Sequence, residues 1–363
     1  MPTPIVQFGT SRFLQAHADL FVSEALEKGE ALGAITVVQT TGSPERAGRL
    51  AALAAPGGYS VIIRGRQDGR DIEREQRVVS VRRALSTATD WDAVRQVFCE
   101  EADVVLSNTG DTGYDVGAND LAGPVPASFP GKLLALLHER FQTNRRKLTV
   151  LPCELVSRNG DVLKQLILDL QANRYPESDF REWLLSDVVW ANTLVDRIVS
   201  EPIEPAGAVA EPYALWAIEN QPGLVLPCRH PAILVVDDLT PYEKLKLHIL
   251  NLGHTVLADV WMKENRPADE TVKAMLRDAA IRQRLLSLYT TEVIPGFAAK
   301  GLRRQAEAYV AATMDRFDNP FLDHRLRDIA NHHTEKLVRR LVDFHAWTPD
   351  VPKPVLLDIA GVQ

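Results

Sequence analysis

The sequence predicts an α/β domain with a parallel sheet over residues 1–200 and a mostly α-helical domain over 201–363. Three observations lead there. At 363 residues the chain exceeds one ordinary core, so two domains are expected. Its first half alternates short β-rich runs with helical stretches, the pattern of a parallel sheet covered on both faces. From about residue 240 onward, long helical segments dominate.

The elements follow in order. Ile5-Val-Gln-Phe-Gly9 reads as a strand ending in glycine, and Phe13 to Lys28 has helical apolar spacing. Ala34 to Gln39 is a second buried strand, closed by Thr-Thr-Gly-Ser-Pro. Tyr59–Arg64 and Glu75–Val81 read as strands flanking the turn at Asp68-Gly69-Arg70. Trp91–Cys99 is helical, and Ala102–Asn108 is a strand. A helix follows Phe129-Pro-Gly131, and Leu148–Pro152 is another strand. The proline-rich stretch from Trp190 to Asp238 reads as a bridge between domains. Beyond it, helical spacing covers 241–264, 268–289, 298–316 and 321–344.

Composition restricts the function. The chain is 45% apolar and 25% charged, with net charge −7 and no Lys/Arg block that reads as a nucleic-acid footprint. No apolar run approaches the roughly 18 residues of a membrane helix, and Met1-Pro-Thr-Pro leads directly into a strand. A cytoplasmic small-molecule enzyme, with no nucleic-acid or membrane partner, is therefore expected. Cys99, Cys153 and Cys228 lie far apart and match neither a disulfide framework nor a zinc spacing.

Two stretches carry candidate chemistry. Strand, Gly9-Thr-Ser-Arg-Phe13, then helix is the setting of a Rossmann-like dinucleotide turn, where glycine permits close backbone approach to a pyrophosphate. Ser11 and Leu14 replace the second and third glycines of the usual pattern. The second strand ends in Gln39-Thr-Thr rather than the Asp or Glu that selects NAD, and Arg46 leaves NADP open. Asn108 and Thr109 end a strand where a nicotinamide ribose can lie. The other stretch, Pro241 to His254, sets Lys246, Asn251 and His254 on one helical segment. At about 100° per residue, Asn251 lies roughly 140° and His254 roughly 80° around from Lys246, so all three can border one cleft. A lysine base with two donors for the oxygen suits a metal-free alcohol dehydrogenase. Lys244, seven residues from Asn251, is a rival base.

Several stretches together resemble the long-chain polyol dehydrogenase family, also called the mannitol dehydrogenase family. Lys246-x(4)-Asn251-x(2)-His254 matches that family's catalytic pattern, which favours Lys246 over Lys244. Asn192-Thr-Leu-Val-Asp-Arg-Ile198 matches a second family element. Ser107-Asn-Thr109, Phe129-Pro-Gly-Lys132, Leu151-Pro-Cys-Glu-Leu155 with Asn159-Gly-Asp161, and Asp237-Asp-Leu-Thr-Pro241 are similar to the tagaturonate reductase (altronate oxidoreductase) branch. Glu292–Pro295 and Arg316–Phe321 extend the likeness toward the C-terminus. The chain departs from the family at Ser11, in reading Asn251-Leu-Gly-His254 where relatives more often have Asn-Gly-x-His, and in being shorter than most members of that branch.

The resemblance implies hydride transfer between a secondary alcohol of an open-chain sugar derivative and NAD, without metal. Lys246 is then the general base, Asn192 and Asn251 donate to the reacting oxygen, and His254 orients the substrate or shares that task. An ordinary lysine, with pKa about 10.4, is a poor base at neutral pH, so burial and donor neighbours must tune it. Gly9, Ser11, Arg12, Phe13, Gln39, Asn108 and Thr109 are the expected cofactor contacts, and Lys336 with Arg327 or His332 the candidates for the distal end of the substrate. The shorter chain favours a neutral polyol, altritol giving tagatose, over altronate giving tagaturonate. A hexitol-phosphate dehydrogenase lacks a clear clustered phosphate site here. A nucleotide-binding redox sensor lacks a basic DNA-reading segment. Oligomeric state is not legible in the sequence.

Overall fold

Apolar runs such as Ile5-Val-Gln-Phe8 and Ile35-Thr-Val-Val-Gln39 bury every residue, as strands covered on both faces must. In a computed structural model of the chain, which describes residues 2–42, 47–110, 113–117, 120 and 123–362, they lie at the heart of a six-stranded parallel sheet. Its strands are β1 (Ile5–Phe8), β2 (Ile35–Gln39), β5 (Val81–Ser86), β6 (Val104–Ser107), β7 (Leu148–Pro152) and β8 (Val188–Trp190), in the order β5-β2-β1-β6-β7-β8. Alternate residues serve opposite faces. Ile5, Ile35, Val104 and Leu106 join one core with the helix Ala18–Lys28, while Val6, Phe8, Val38 and Val105 join another with helices Trp91–Glu100 and Phe129–Thr143.

Two smaller sheets complete this part. One contains β3 (Tyr59–Gln67), β4 (Arg70–Val78), β10 (Val199–Pro202) and β11 (Gly207–Ala210), in the order β10-β11-β3-β4. The other sets β12 (Leu215–Glu219) between β9 (Thr193–Asp196) and β13 (Ile233–Val236). The stretch read as a bridge thus carries strands. By internal contacts the chain divides into one unit of residues 1–63, 74–210 and 214–239 and a second of 64–73, 211–213 and 240–363. The expected division after residue 200 falls inside the first unit, because β10–β13 pair there.

The second unit is helical around its own core of Leu, Ile, Val and aromatic side chains. Three of its segments are π-helical: Lys246–Asn251, Tyr289–Val293 and Val338–Val342. Such i→i+5 turns are rare and gather at functional sites. No helix is long and apolar enough to cross a membrane among the described residues.

Candidate active site

In the first unit β1 sits between β2 and β6, so the strand order reverses at its C-terminal end. That switch point is where ligands of parallel sheets collect. A cleft of about 240 Å³ opens there, lined by Gly9, Thr10, Ser11, Gln39, Thr40, Thr41, Arg49, Asn108, Thr109 and Gly110. Gly9 has φ +115°, and a Cβ on it would collide with the Asn108 carbonyl oxygen. Only glycine meets both conditions. Ser11 caps the short helix Arg12–Gln15 by accepting from Leu14 N–H at 3.2 Å, which gives the serine a local task.

Gly9, Ser11, Gln39, Asn108 and Thr109 therefore share one cleft. Arg12 and Phe13 are not in its lining. The Arg12 guanidinium donates to the carbonyls of Ile203 and Gly207 and pairs with Glu204, while Phe13 stacks on His17 at 4.7 Å. Arg46 lies outside the described residues.

Glu154, just past β7, was missed by sequence reasoning. Its buried carboxylate accepts from Ser107 Oγ (2.9 Å), from Thr109 N–H and Oγ1 (both 3.0 Å) and from Tyr114 Oη (3.1 Å). It thereby fixes the Thr109 edge of the cleft. The available signal was Leu151-Pro-Cys-Glu-Leu155 itself, a carboxylate at a strand end beside the polar end Ser107-Asn-Thr109. Asn192, also in this unit, is fully buried. Its amide donates to Glu219 at 2.6 Å and Asp161 at 3.2 Å, and its oxygen accepts from Asp161 N–H. Both amide hydrogens of Asn192 are thus directed at carboxylates in this structure.

In the second unit, Lys246 and Asn251 are the first and last residues of one π turn. The wide turn changes the 140° separation expected of an α-helix, since residues i and i+5 come back toward one line. The segment is held from two sides. Tyr289, in the second π segment, donates its hydroxyl to Ile249 O at 2.9 Å. Gly253 makes this possible, because a Cβ there would strike that hydroxyl. The shifted glycine in Asn251-Leu-Gly-His254 therefore has a physical reason. His248 bonds through Nδ1 to Arg340 O in the third π segment, and Arg340 in turn donates to Asn251 O at 3.0 Å and Thr255 Oγ1 at 2.8 Å. Burial lowers the His248 pKa to about 4, so the ring is neutral. Tyr289→Phe should cost about 1 kcal/mol of stability and reduce turnover beyond that loss, as thermal melts beside steady-state rates will show.

Lys246 is half-buried. The rival Lys244 lies over the Trp347 ring at 5.4 Å, which gives its ammonium a cation–π role. His254 is buried between the rings of Phe317 (4.6 Å) and His324 (4.7 Å). Burial, then the nearby His324, Arg316, Arg340 and Lys336, holds its pKa well below the ordinary value. It acts as a neutral imidazole. Lys336 donates to Ile329 O at 2.8 Å, and its pKa is lowered by burial and then by Arg340. Burial and Arg339 lower that of Arg340 to about 10. Arg327 and His332 do not join this cluster. Their side chains are 50% and 75% exposed and sit beside Asp328 and Glu335. Among the described residues no group of three or more His, Cys, Asp or Glu could hold a metal.

A parallel sheet with a glycine turn at its switch point, joined in sequence to a helical unit bearing Lys, Asn and His, defines a dinucleotide-fold oxidoreductase. Residues 3–225 match the family model "Mannitol dehydrogenase Rossmann domain" and residues 238–348 match "Mannitol dehydrogenase C-terminal domain". The chain belongs to the mannitol dehydrogenase family. It is 30% identical to an altronate oxidoreductase of Klebsiella pneumoniae (strain 342) over 94% of this chain and 74% of that one. An altronate oxidoreductase of Halalkalibacterium halodurans is 29% identical over 100% of this chain and 75% of its own. Among solved structures, a substrate-free D-sorbitol dehydrogenase superposes with a TM-score of 0.79 at 21% identity, covering 95% of this chain and 75% of that one. The mannitol 2-dehydrogenase of Pseudomonas fluorescens, solved with NAD and D-mannitol, gives 0.74 at 19% identity, covering 100% and 76%. These two likenesses concern the fold.

Proposed function

We propose that this oxidoreductase interconverts an open-chain sugar acid of the altronate class and its keto acid, with NAD as redox partner and no metal. The observation that carries the substrate class is the pair Lys336 and Arg340 beside His254 and Asn251. Burial lowers the pKa of both partly buried cations, with Arg340 adding to the effect on Lys336 and Arg339 to that on Arg340, and a substrate carboxylate would favour their charged forms. The altronate oxidoreductase relatives point the same way. This reading replaces the leaning toward a neutral polyol drawn from chain length.

The cleft at Gly9 fits a dinucleotide: it permits close backbone approach, offers hydroxyls and amides, and lies at the switch point. Gly9, Ser11, Gln39, Asn108 and Thr109 would hold the cofactor, which supplies the acceptor for a hydride. Lys246 takes the hydroxyl proton during oxidation and returns it during reduction. Asn251 donates to the oxygen as negative charge builds there, an interaction of roughly 3 kcal/mol when preorganised. His254, neutral and wedged between Phe317 and His324, orients the neighbouring hydroxyl. Asn192 braces Asp161 and Glu219.

Lys336→Met tests the substrate class. KM for altronate should rise about 10- to 100-fold, the loss of one charge-assisted contact, with kcat less affected and slow turnover of altritol nearly unchanged. A wild-type preference for altritol over altronate, or an equal loss on both in Lys336→Met, would reject the carboxylate reading.

A further inference from the structure

Residues 64–73, from the hairpin of β3 and β4, belong to the helical unit. There Arg66 lines a cavity of about 300 Å³ together with Lys273, Arg277, Arg282, Asp318 and Pro320. Four cations share this lining with one carboxylate. Backbone carbonyls hold three of them in place. Lys273 Nζ donates to Pro320 O at 2.7 Å, Arg282 Nε to Leu276 O at 3.1 Å, and Arg66 Nη2 to Gly69 O at 3.2 Å. Arg282 also pairs with Asp318, and Lys273 with the exposed Asp323 at 2.8 Å. Arg66 and Arg277 are left without a carboxylate partner among the described residues. The other acids on these segments have their own places. Asp315 accepts from Gly69 N–H at 3.2 Å, Asp278 caps the helix Ala279–Leu288, and Asp68 sits exposed in the hairpin turn.

We propose that this cavity binds a compact phosphate group, carried by orthophosphate or a small phosphate monoester, through Arg66, Arg277 and Lys273. Cations gathered in one cavity repel one another, and a dianion between them offsets that cost. Arg66 and Arg277 each bring a planar guanidinium fork that meets two phosphate oxygens at once, and Lys273 adds a tethered point charge. The three terminal oxygens of a phosphate can engage all three side chains, where the two of a carboxylate cannot. The volume is at the small end of the roughly 300–1,000 Å³ of ligand pockets, enough for a phosphate and a short carbon skeleton. Lys246, Asn251, His254, Lys336 and Arg340 are not in the lining, so this site is additional to the proposed substrate position. Its residues come from three separate stretches of chain, which is why no clustered phosphate motif shows in the sequence.

Isothermal titration calorimetry of the full chain with inorganic phosphate and with glucose 6-phosphate, at low and constant ionic strength, tests it. The wild type should bind at least one of them saturably, with Kd below about 1 mM, where sodium chloride gives no saturable heat. Arg277→Ala and Arg66→Ala should each weaken that binding roughly 10- to 100-fold, the loss of a charge-assisted contact. Arg277 is exposed and its side chain makes no bond among the described residues, so its variant keeps the fold and decides the question if Arg66→Ala does not. Lys336→Met should change the affinity by less than about twofold. Inorganic phosphate bound as tightly as glucose 6-phosphate, or more so, assigns the site to the free anion, and tighter binding of glucose 6-phosphate assigns it to an ester. No saturable binding, binding unchanged in Arg277→Ala, or binding lost in Lys336→Met overturns the proposal.

Discussion

Lys246→Ala is expected to lower kcat by roughly 10³-fold, within the range lost with a positioned general base. The dinucleotide should still bind and the melting temperature should hold. The argument is local. Lys246 opens the π turn that also ends in Asn251, and that turn is fixed by Tyr289 on one side and Arg340 on the other. Removing the amine takes away the proton acceptor without touching those supports. Lys244→Ala is the matched control, since that ammonium lies over Trp347 and should affect kcat by less than about threefold. Rates and titrations on both variants separate loss of chemistry from loss of fold. The reverse ranking, with Lys244 essential and Lys246 dispensable, would move the base.

Gly9→Ala has the second large expected effect. The backbone at Gly9 has φ +115°, where a side chain costs about 1–3 kcal/mol by itself. The added Cβ would also push into the Asn108 carbonyl oxygen, displacing the two strand ends that border the cleft. Binding of NADH should weaken by at least about 100-fold, and the melting temperature should fall by several degrees. A variant that binds NADH as the wild type does would show that the cofactor lies elsewhere.

The parallel sheet was legible because its strands are buried on both faces and read as unbroken apolar runs. β1, β2, β6 and β7 stand where that pattern puts them. The helix expected from Phe13 to Lys28 is instead two helices, Arg12–Gln15 and Ala18–Lys28, because His17 has a non-helical backbone. Apolar spacing could not announce that break. Strands β9–β13 were hidden among prolines, where each run is only four or five residues long.

At the candidate site the residue types were legible and their arrangement was not. The motif around Lys246, Asn251 and His254 stands on a helical segment, yet its middle turn is bonded i→i+5. That register comes from the neighbours: Tyr289 reaches Ile249 O, and His248 and Arg340 tie two π segments together. Nothing in the spacing of 241–254 encodes those long-range bonds. The same holds for Arg340, a residue whose place the sequence does not reveal. Its guanidinium is folded in against Asn251 and Thr255. Arg327 and His332 drew attention as basic residues on a C-terminal helix, and both are surface groups with acidic neighbours.

The most direct test is the absorbance of reduced nicotinamide when the purified chain is mixed with NAD and altronate, beside Lys246→Ala. Formation of reduced cofactor and a keto acid by the wild type, absent in Lys246→Ala, is the result predicted. Cofactor binding without reduction on altronate, altritol or mannitol, or reduction that survives Lys246→Ala, would contradict it.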